Sequence, residues 1–281
     1  MRLGQLANRA VVIRNDRALD VERASNGRFS ADPQALYADW QALREWEAMA
    51  SYDEATAFSE GDLGCPAPRP RQVFAIGLNY RDHAAESGAP IPTDIVVFTK
   101  FPSSFGPPNA NVVVASDKID YETELVVVIS KEARKITPGT GWDYVAGVAV
   151  GQDYSDRGLQ FVSPPPQFSL AKSLPGFSPF GPAVVTIDEL KTPDALAISA
   201  EITRNGERST LQKGTTADLI FSVPAIIERL AEVVTVYPGD VIFTGTPAGV
   251  GLSKKFFLRP GDVVESRIED IGAIRNHFVA S

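Results

Sequence analysis

In the stretch "KIDYETELVVVIS" (118–130), Glu122 and Glu124 stand two residues apart at the mouth of an unbroken aliphatic run, Leu125 to Ile129. Such a run forms a strand buried on both faces. Side chains alternate along a strand, so the two carboxylates project from the same face. Uncompensated, they repel each other and lose hydration beside a core. A second apolar run, "VAGVAVGQD", ends at another acid, Asp153. A divalent cation held by Glu122, Glu124 and Asp153 would turn three costly carboxylates into ligands. Hard oxygen donors suit Mg²⁺ or Mn²⁺ and leave about three octahedral positions for water or substrate. With one Cys and two His in the chain, a thiolate or imidazole zinc site is excluded. On these residues alone a second arrangement stays open: the glutamates on a solvated sheet face and Asp153 in a turn, the commoner setting for acidic pairs.

Other residues have matching chemistry. "HAAE" puts His83 and Glu86 three apart, on one face of a helical turn. A carboxylate partner fixes the imidazole tautomer and raises its basicity, as a water-activating base requires. The alternative is a pair of surface neighbours. Lys172, between "FSL" and "SLPGF", could stabilise a developing enolate, or be a solvated lysine paired with an acid elsewhere. Arg157 and Gln160, at i and i+3, could hold a substrate carboxylate or form a helix-face pair. "FTGTPAGVG" lacks both the Gly-Lys-Ser/Thr ending and the dinucleotide glycine spacing, which excludes a phosphate loop. Its glycines and proline instead shape a tight turn presenting Thr246. His277 and Cys65 need no chemistry.

The elements that must position these groups divide at one seam. Residues 10–21 predict two short strands around an Asn15–Asp16 turn, and "DPQALYADWQALREWEAMA" a helix capped by Asp32 with Pro33 in its first turn. "GCPAPRPRQ" follows, with prolines at alternate positions, and predicts a stiff linker over residues 66–72. The expected domains are therefore a small N-terminal α+β unit over residues 1–65 and a larger unit over 73–281. In the larger unit short β-type runs dominate, with a hairpin at Asn205–Gly206 and one clear helix from Pro224 to Ala231. The fold class is α+β, rich in β, rather than a regular βαβ succession.

Composition narrows the function. The chain is 44% hydrophobic and 22% charged, the balance of a globular protein with ample core. No apolar run approaches the roughly 20 residues of a membrane span. The N-terminus has no signal-peptide pattern, and the lone cysteine fits a reducing cytoplasm. A net charge of −8 with no basic run excludes nucleic acid as a partner.

Several stretches together resemble the fumarylacetoacetate hydrolase family. They are "AIGLNYRDHAAE", "DYETELVVVI", "GQDYSDRGLQ", "AKSLPGFSPFGP", "PGDVIFTGTPAGVG" and "IEDIGAIRN", in family order, from about Val73 to Asn276. The resemblance implies a mixed β-roll, an acidic Mg²⁺ or Mn²⁺ site, a homodimer, and α-keto acid substrates chelated through carboxylate and keto oxygens. It assigns Glu122, Glu124 and Asp153 to the metal, which decides between the two arrangements above. It assigns Lys100, Arg157, Gln160 and Thr246 to the substrate side, and His83, Glu86 and Lys172 to catalysis. The segment after Asp153 reads "YSDRG" where relatives commonly have "VSARD", a departure that bears on the substrate's distal end. The expected reaction is hydrolysis of an acylpyruvate through a pyruvate enolate. Oxaloacetate decarboxylation, isomerisation of a 2-hydroxy-2,4-dienedioate and dehydration of a 2-keto-3-deoxy sugar acid could use the same ligands. A metal-stabilised binding protein without turnover is the reading from another class.

Overall fold

The computed structural model describes residues 1–281. At its centre lies the strand Thr123–Ile129, buried at every position. It pairs antiparallel with Val145–Gln152 on one side and with Val241–Phe243 on the other. Both of its faces are covered. Val126 and Val128 enter one apolar cluster and Leu125, Val127 and Ile129 a second. A continuous aliphatic run is what such a two-sided position demands.

This strand belongs to a 12-stranded sheet. Beyond Val145–Gln152 come Ser178–Val185, Arg2–Leu6, Arg9–Arg14, Arg17–Asp20 and Thr56–Ala57; beyond Val241–Phe243 come Val73–Gly77 and the edge strand Val96–Phe98. A five-stranded sheet, in the order Glu207–Thr215, Ala197–Arg204, Val263–Ile268, Gly272–Ala280, Asn111–Val114, makes the second layer. The sheets are mixed. Val241–Phe243 runs parallel to Val73–Gly77, and Gly272–Ala280 runs parallel to Asn111–Val114. The architecture is the strand-rich α+β expected from the sequence.

Local expectations meet specific outcomes. The turn between Arg9–Arg14 and Arg17–Asp20 has both Asn15 and Asp16 at positive φ, the conformation that a two-residue hairpin favours. The predicted N-terminal helix is Pro33–Leu36, a 3₁₀ turn Tyr37–Asp39 and Trp40–Glu47 in succession, and Asp32 accepts from the Gln34 N–H as a cap. Its Leu36, Tyr37, Trp40 and Leu43 join Val126, Val128 and Phe243 in one core. The expected seam lies inside continuous packing. Cys65, Pro66, Ala67 and Pro70 are buried, Tyr37 donates to the Pro66 carbonyl, and Leu3 pairs with Val184 across the sheet. Burial pushes the Cys65 thiol up to about 12, consistent with a packing role. No helix is long and apolar enough to cross a membrane.

Candidate active site

Glu122 precedes the central strand by one residue, Glu124 lies in it, and Asp153 follows the end of its neighbour Val145–Gln152. The antiparallel register, Thr123 opposite Gln152, brings the three acids together, and the Asp153 N–H donates to the Glu122 carbonyl. One oxygen from each carboxylate lies within 4.8 Å of the others, and all three residues are buried.

Three cations surround this group. Lys172 Nζ lies 2.5 Å from Glu122 Oε2 and 2.7 Å from Asp153 Oδ2. Arg157 donates to Glu122 Oε1 at 2.5 Å, to Asp120 Oδ2 at 2.8 Å and to Gln160 Oε1 at 2.7 Å. Lys100, wholly buried, directs its ammonium at Asp153 Oδ1 and at the carbonyls of Lys172 and Phe177. The Lys100 ammonium and three of the five Arg157 N–H groups, expected on the substrate, meet protein acceptors that include site carboxylates. Gln160 gives its oxygen to Arg157, which leaves its NH₂ to donate.

The charges respond accordingly. Burial pushes the Glu122 carboxyl up, but the Lys172 ammonium and Arg157 guanidinium override it and hold it well below the usual range. Burial lowers the Lys172 ammonium, and Asp153 and Glu122 more than reverse that. For Lys100 burial wins, and its value falls despite Asp153. Glu124 differs from its neighbours. No cation pairs with it; its hydrogen bond comes from the Gly245 N–H at 2.8 Å. Burial, then the charges of Asp153 and Glu122, drive its carboxyl well above the ordinary value. A buried carboxylate facing two others without an ion pair is the arrangement a divalent cation relieves, and the all-oxygen donor set suits Mg²⁺ or Mn²⁺.

The remaining expected residues come from the turn after Val241–Phe243 and the helix Arg81–Glu86. After Val241–Phe243 the chain turns through Gly245, whose φ of 102° and close approach to Asn79 leave no room for a Cβ. The turn delivers Thr246, whose hydroxyl donates to the Thr123 carbonyl, between the two glutamates. The helix Arg81–Glu86 lies over this turn. Asp82 accepts from the Ala248 N–H at 3.1 Å, and Glu86 accepts from the Gly249 N–H at 2.9 Å. On the same helix His83 Nδ1 is 3.3 Å from Glu86 Oε2. All ten expected residues therefore converge on one region.

Three positioning groups went unnoticed in the sequence. Asp120 holds Arg157 and also accepts from the Gly251 and Leu252 N–H groups. Its signal was present: Asp120, Glu122 and Glu124 alternate. Gln152 accepts from the Glu122 N–H at 2.9 Å and donates to Thr123 and Ser266, and Gln212 bonds Thr123 and Thr246. Neither glutamine belongs to a pattern that periodicity reveals.

This fold and site define an enzyme class built on a mixed β-roll with an acidic centre. The family model described as fumarylacetoacetate (FAA) hydrolase C-terminal matches residues 72–279, and the chain belongs to the fumarylacetoacetate hydrolase family. Human oxaloacetate tautomerase FAHD2A, mitochondrial, is 40% identical over 236 residues, covering 83% of this chain and 74% of that one. A crystal structure from Mycobacterium smegmatis, provisionally named HpcE, superposes with a TM-score of 0.92 at 49% identity, covering all of both chains. Maleylpyruvate hydrolase from Sphingobium sp. SYK-6, solved with manganese(II) and pyruvate, gives 0.82 at 26% identity, again over all of both chains.

Proposed function

We propose that this protein is a Mg²⁺- or Mn²⁺-dependent enzyme that forms and reprotonates the enolate of an α-keto acid, with keto–enol interconversion of oxaloacetate as its lead reaction. The unpaired, buried Glu124 beside Glu122 and Asp153 carries the reading, since one divalent cation can be shared by all three. The oxaloacetate tautomerases among its relatives support the substrate.

In this reading Glu122, Glu124 and Asp153 hold the ion, which when bound supplies Lewis-acid polarisation of the keto oxygen. The Lys172 ammonium adds positive charge beside the oxygen on which the enolate's charge develops. The Gln160 NH₂ and the backbone of the Thr246 turn orient the substrate, since the Thr246 hydroxyl donates to the Thr123 carbonyl. With Nδ1–H directed at Glu86, His83 keeps its Nε2 lone pair to take the proton from carbon in the keto-to-enol direction and to return it in the other, while the enol oxygen gains or loses its proton by exchange with water. Lys100 and Arg157 hold Asp153 and Glu122 in place. A homodimer is part of the reading, checked by light scattering on purified protein.

Acylpyruvate hydrolysis is the second reading, favoured by the His83–Glu86 pairing and by the likeness to a maleylpyruvate hydrolase. There the same imidazole would deprotonate water. Decay of the oxaloacetate enol, followed in the ultraviolet, and pyruvate release from acylpyruvates separate the two. The expected result is accelerated enol decay that chelator abolishes and Mg²⁺ or Mn²⁺ restores. Pyruvate release without enol acceleration would move the assignment to hydrolysis. His83→Ala is expected to lower the true activity by about 10²-fold, the usual worth of a positioned base.

A further inference from the structure

Gln212 lies outside every motif noted above, on the strand Glu207–Thr215 of the second sheet. Along that strand Glu207 to Thr210 are all exposed, and Leu211 and Gln212 are then buried in succession. Strict alternation forbids that pattern. The register explains it: Ala200 opposes Gln212 while Glu201 opposes Thr210, so Leu211 is the extra residue of a β-bulge. Bulges re-aim side chains beside functional sites. Here Leu211 enters the apolar cluster of the second layer, and the Gln212 amide reaches across to the first sheet.

What it meets is Thr123, the residue between Glu122 and Glu124. Past Phe243 the neighbouring strand has ended, so Thr123 has no ladder partner on that side. Gln212 Oε1 accepts the Thr123 N–H at 2.9 Å, and Thr246 Oγ1 donates to the Thr123 carbonyl at 2.9 Å. Gln212 Nε2 closes the ring by donating to Thr246 Oγ1 and to the Pro247 carbonyl, each at 2.8 Å. One side-chain amide thus stands in for the missing strand. Gln212, Thr123 and Thr246 are all buried, so each of these bonds is made without competition from water.

We infer that Gln212 is a positioning residue that locks the backbone between the two metal-side glutamates to the Thr246 turn, setting both the cation site and the substrate's anchoring group. The inference rests on the proposed metal-dependent reading and adds the residue that couples its two halves. Its Oε1 governs the glutamate side through the Thr123 N–H. Its Nε2 governs the substrate side, because its bonds to Thr246 Oγ1 and the Pro247 carbonyl hold the turn in place.

The test uses two full-length variants, the Mn²⁺ ion as metal probe and oxalate as a chelating stand-in for the α-keto acid head. Free Mn²⁺ is measured by electron spin resonance, and oxalate binding to the Mn²⁺-loaded protein by calorimetry. Gln212→Met keeps the volume and loses every bond; it is expected to weaken Mn²⁺ binding by about tenfold or more, the scale reported for groups that orient metal ligands. Gln212→Glu keeps an acceptor for Thr123 and loses the donors to Thr246 and Pro247. It is expected to hold Mn²⁺ within about threefold of wild type while weakening oxalate about tenfold. That split separates positioning from a general loss of fold, which lowers both affinities together. Should Gln212→Met not fold, the split in Gln212→Glu decides. Wild-type-like Mn²⁺ and oxalate affinities in a folded Gln212→Met, or no split in Gln212→Glu, overturn the inference alone. Failure of the wild type to bind Mn²⁺ overturns the metal reading and this inference with it.

Discussion

Asp153 receives the Lys100 ammonium on one carboxylate oxygen and the Lys172 ammonium on the other, while Glu122 shares Lys172 and takes Arg157. Glu124 is left with an amide. A cation that serves all three should raise folding stability by mass action, by about 2.7 kcal/mol at a hundredfold excess over its Kd. For a chain of this size that is a rise of roughly 5–10 °C in melting temperature. Asp153→Asn, which keeps the shape and removes a ligand charge, is expected to abolish the rise; a thermal scan with and without Mg²⁺ checks it. An undiminished rise in the variant would place the ion elsewhere. The acidic triad was legible because strand alternation is a strict period and buried runs announce themselves. The counter-charges were legible only by resemblance. Nothing in "VVFTKFPSS" states that Lys100 would be wholly buried with its donors spent on Asp153 and two carbonyls, since that depends on which loops fold back.

Between the residue and the whole chain stands the helix Arg81–Glu86, the element that carries the imidazole. In the structure it is docked. Asn79 bonds the Thr244 and Phe221 carbonyls, Arg81 the Leu219 carbonyl, and Asp82 and Glu86 take two consecutive amides of the Thr246 turn. Leu78, at φ 53°, provides the sharp entry. Asp82→Ala removes one clamp bond, worth about 1 kcal/mol, so amide exchange across 81–86 should quicken about fivefold. The clamp should also depend on pH. Burial raises the Asp82 carboxyl above its ordinary value, the Ala248 N–H offsets part of that, and the facing Asp218 charge adds to the rise. A raised carboxyl favours the docked state fully below its ordinary range and less as pH climbs through the raised value. The docked helix should therefore loosen as pH rises from about 4 toward neutrality. Asp218→Asn keeps an oxygen for the Asp82 N–H and removes the charge, so it should flatten that dependence. Protection of 81–86, taken as the exchange rate relative to the intrinsic rate at each pH, that ignores pH in the wild type would contradict the account. Such a clamp is invisible in sequence, because its donors are backbone amides of a turn over 160 residues away.

At the scale of the whole molecule the question is what residues 1–65 do. The alternating prolines and the absence of family motifs before Val73 pointed to an appendage, and no site residue described above lies in it. Yet Arg2–Leu6 is hydrogen-bonded to Ser178–Val185, which in turn pairs with Val145–Gln152, the strand leading to Asp153. The N-terminal apolar residues also cover the sheet face that carries Val126, Val128 and Phe243. A proline-rich string in sequence cannot distinguish a free linker from one pressed against a core, because both exclude helix and ladder. We propose that the two parts unfold as one unit. Leu3 is fully buried in the shared cluster, so Leu3→Ala should cost about 2–5 kcal/mol. It should also shift one cooperative transition, in which near-ultraviolet dichroism, far-ultraviolet dichroism and loss of Mn²⁺ binding coincide. Activity per folded molecule should stay near that of the wild type, since Leu3 touches none of the site residues named here. Deleting residues 1–65 should expose the edge of Ser178–Val185 together with the covered face, and yield aggregated rather than soluble enzyme. If Leu3→Ala instead melts in two steps, with the Mn²⁺-binding step at the wild-type temperature, the N-terminal part is an independent domain and the single-unit account is wrong.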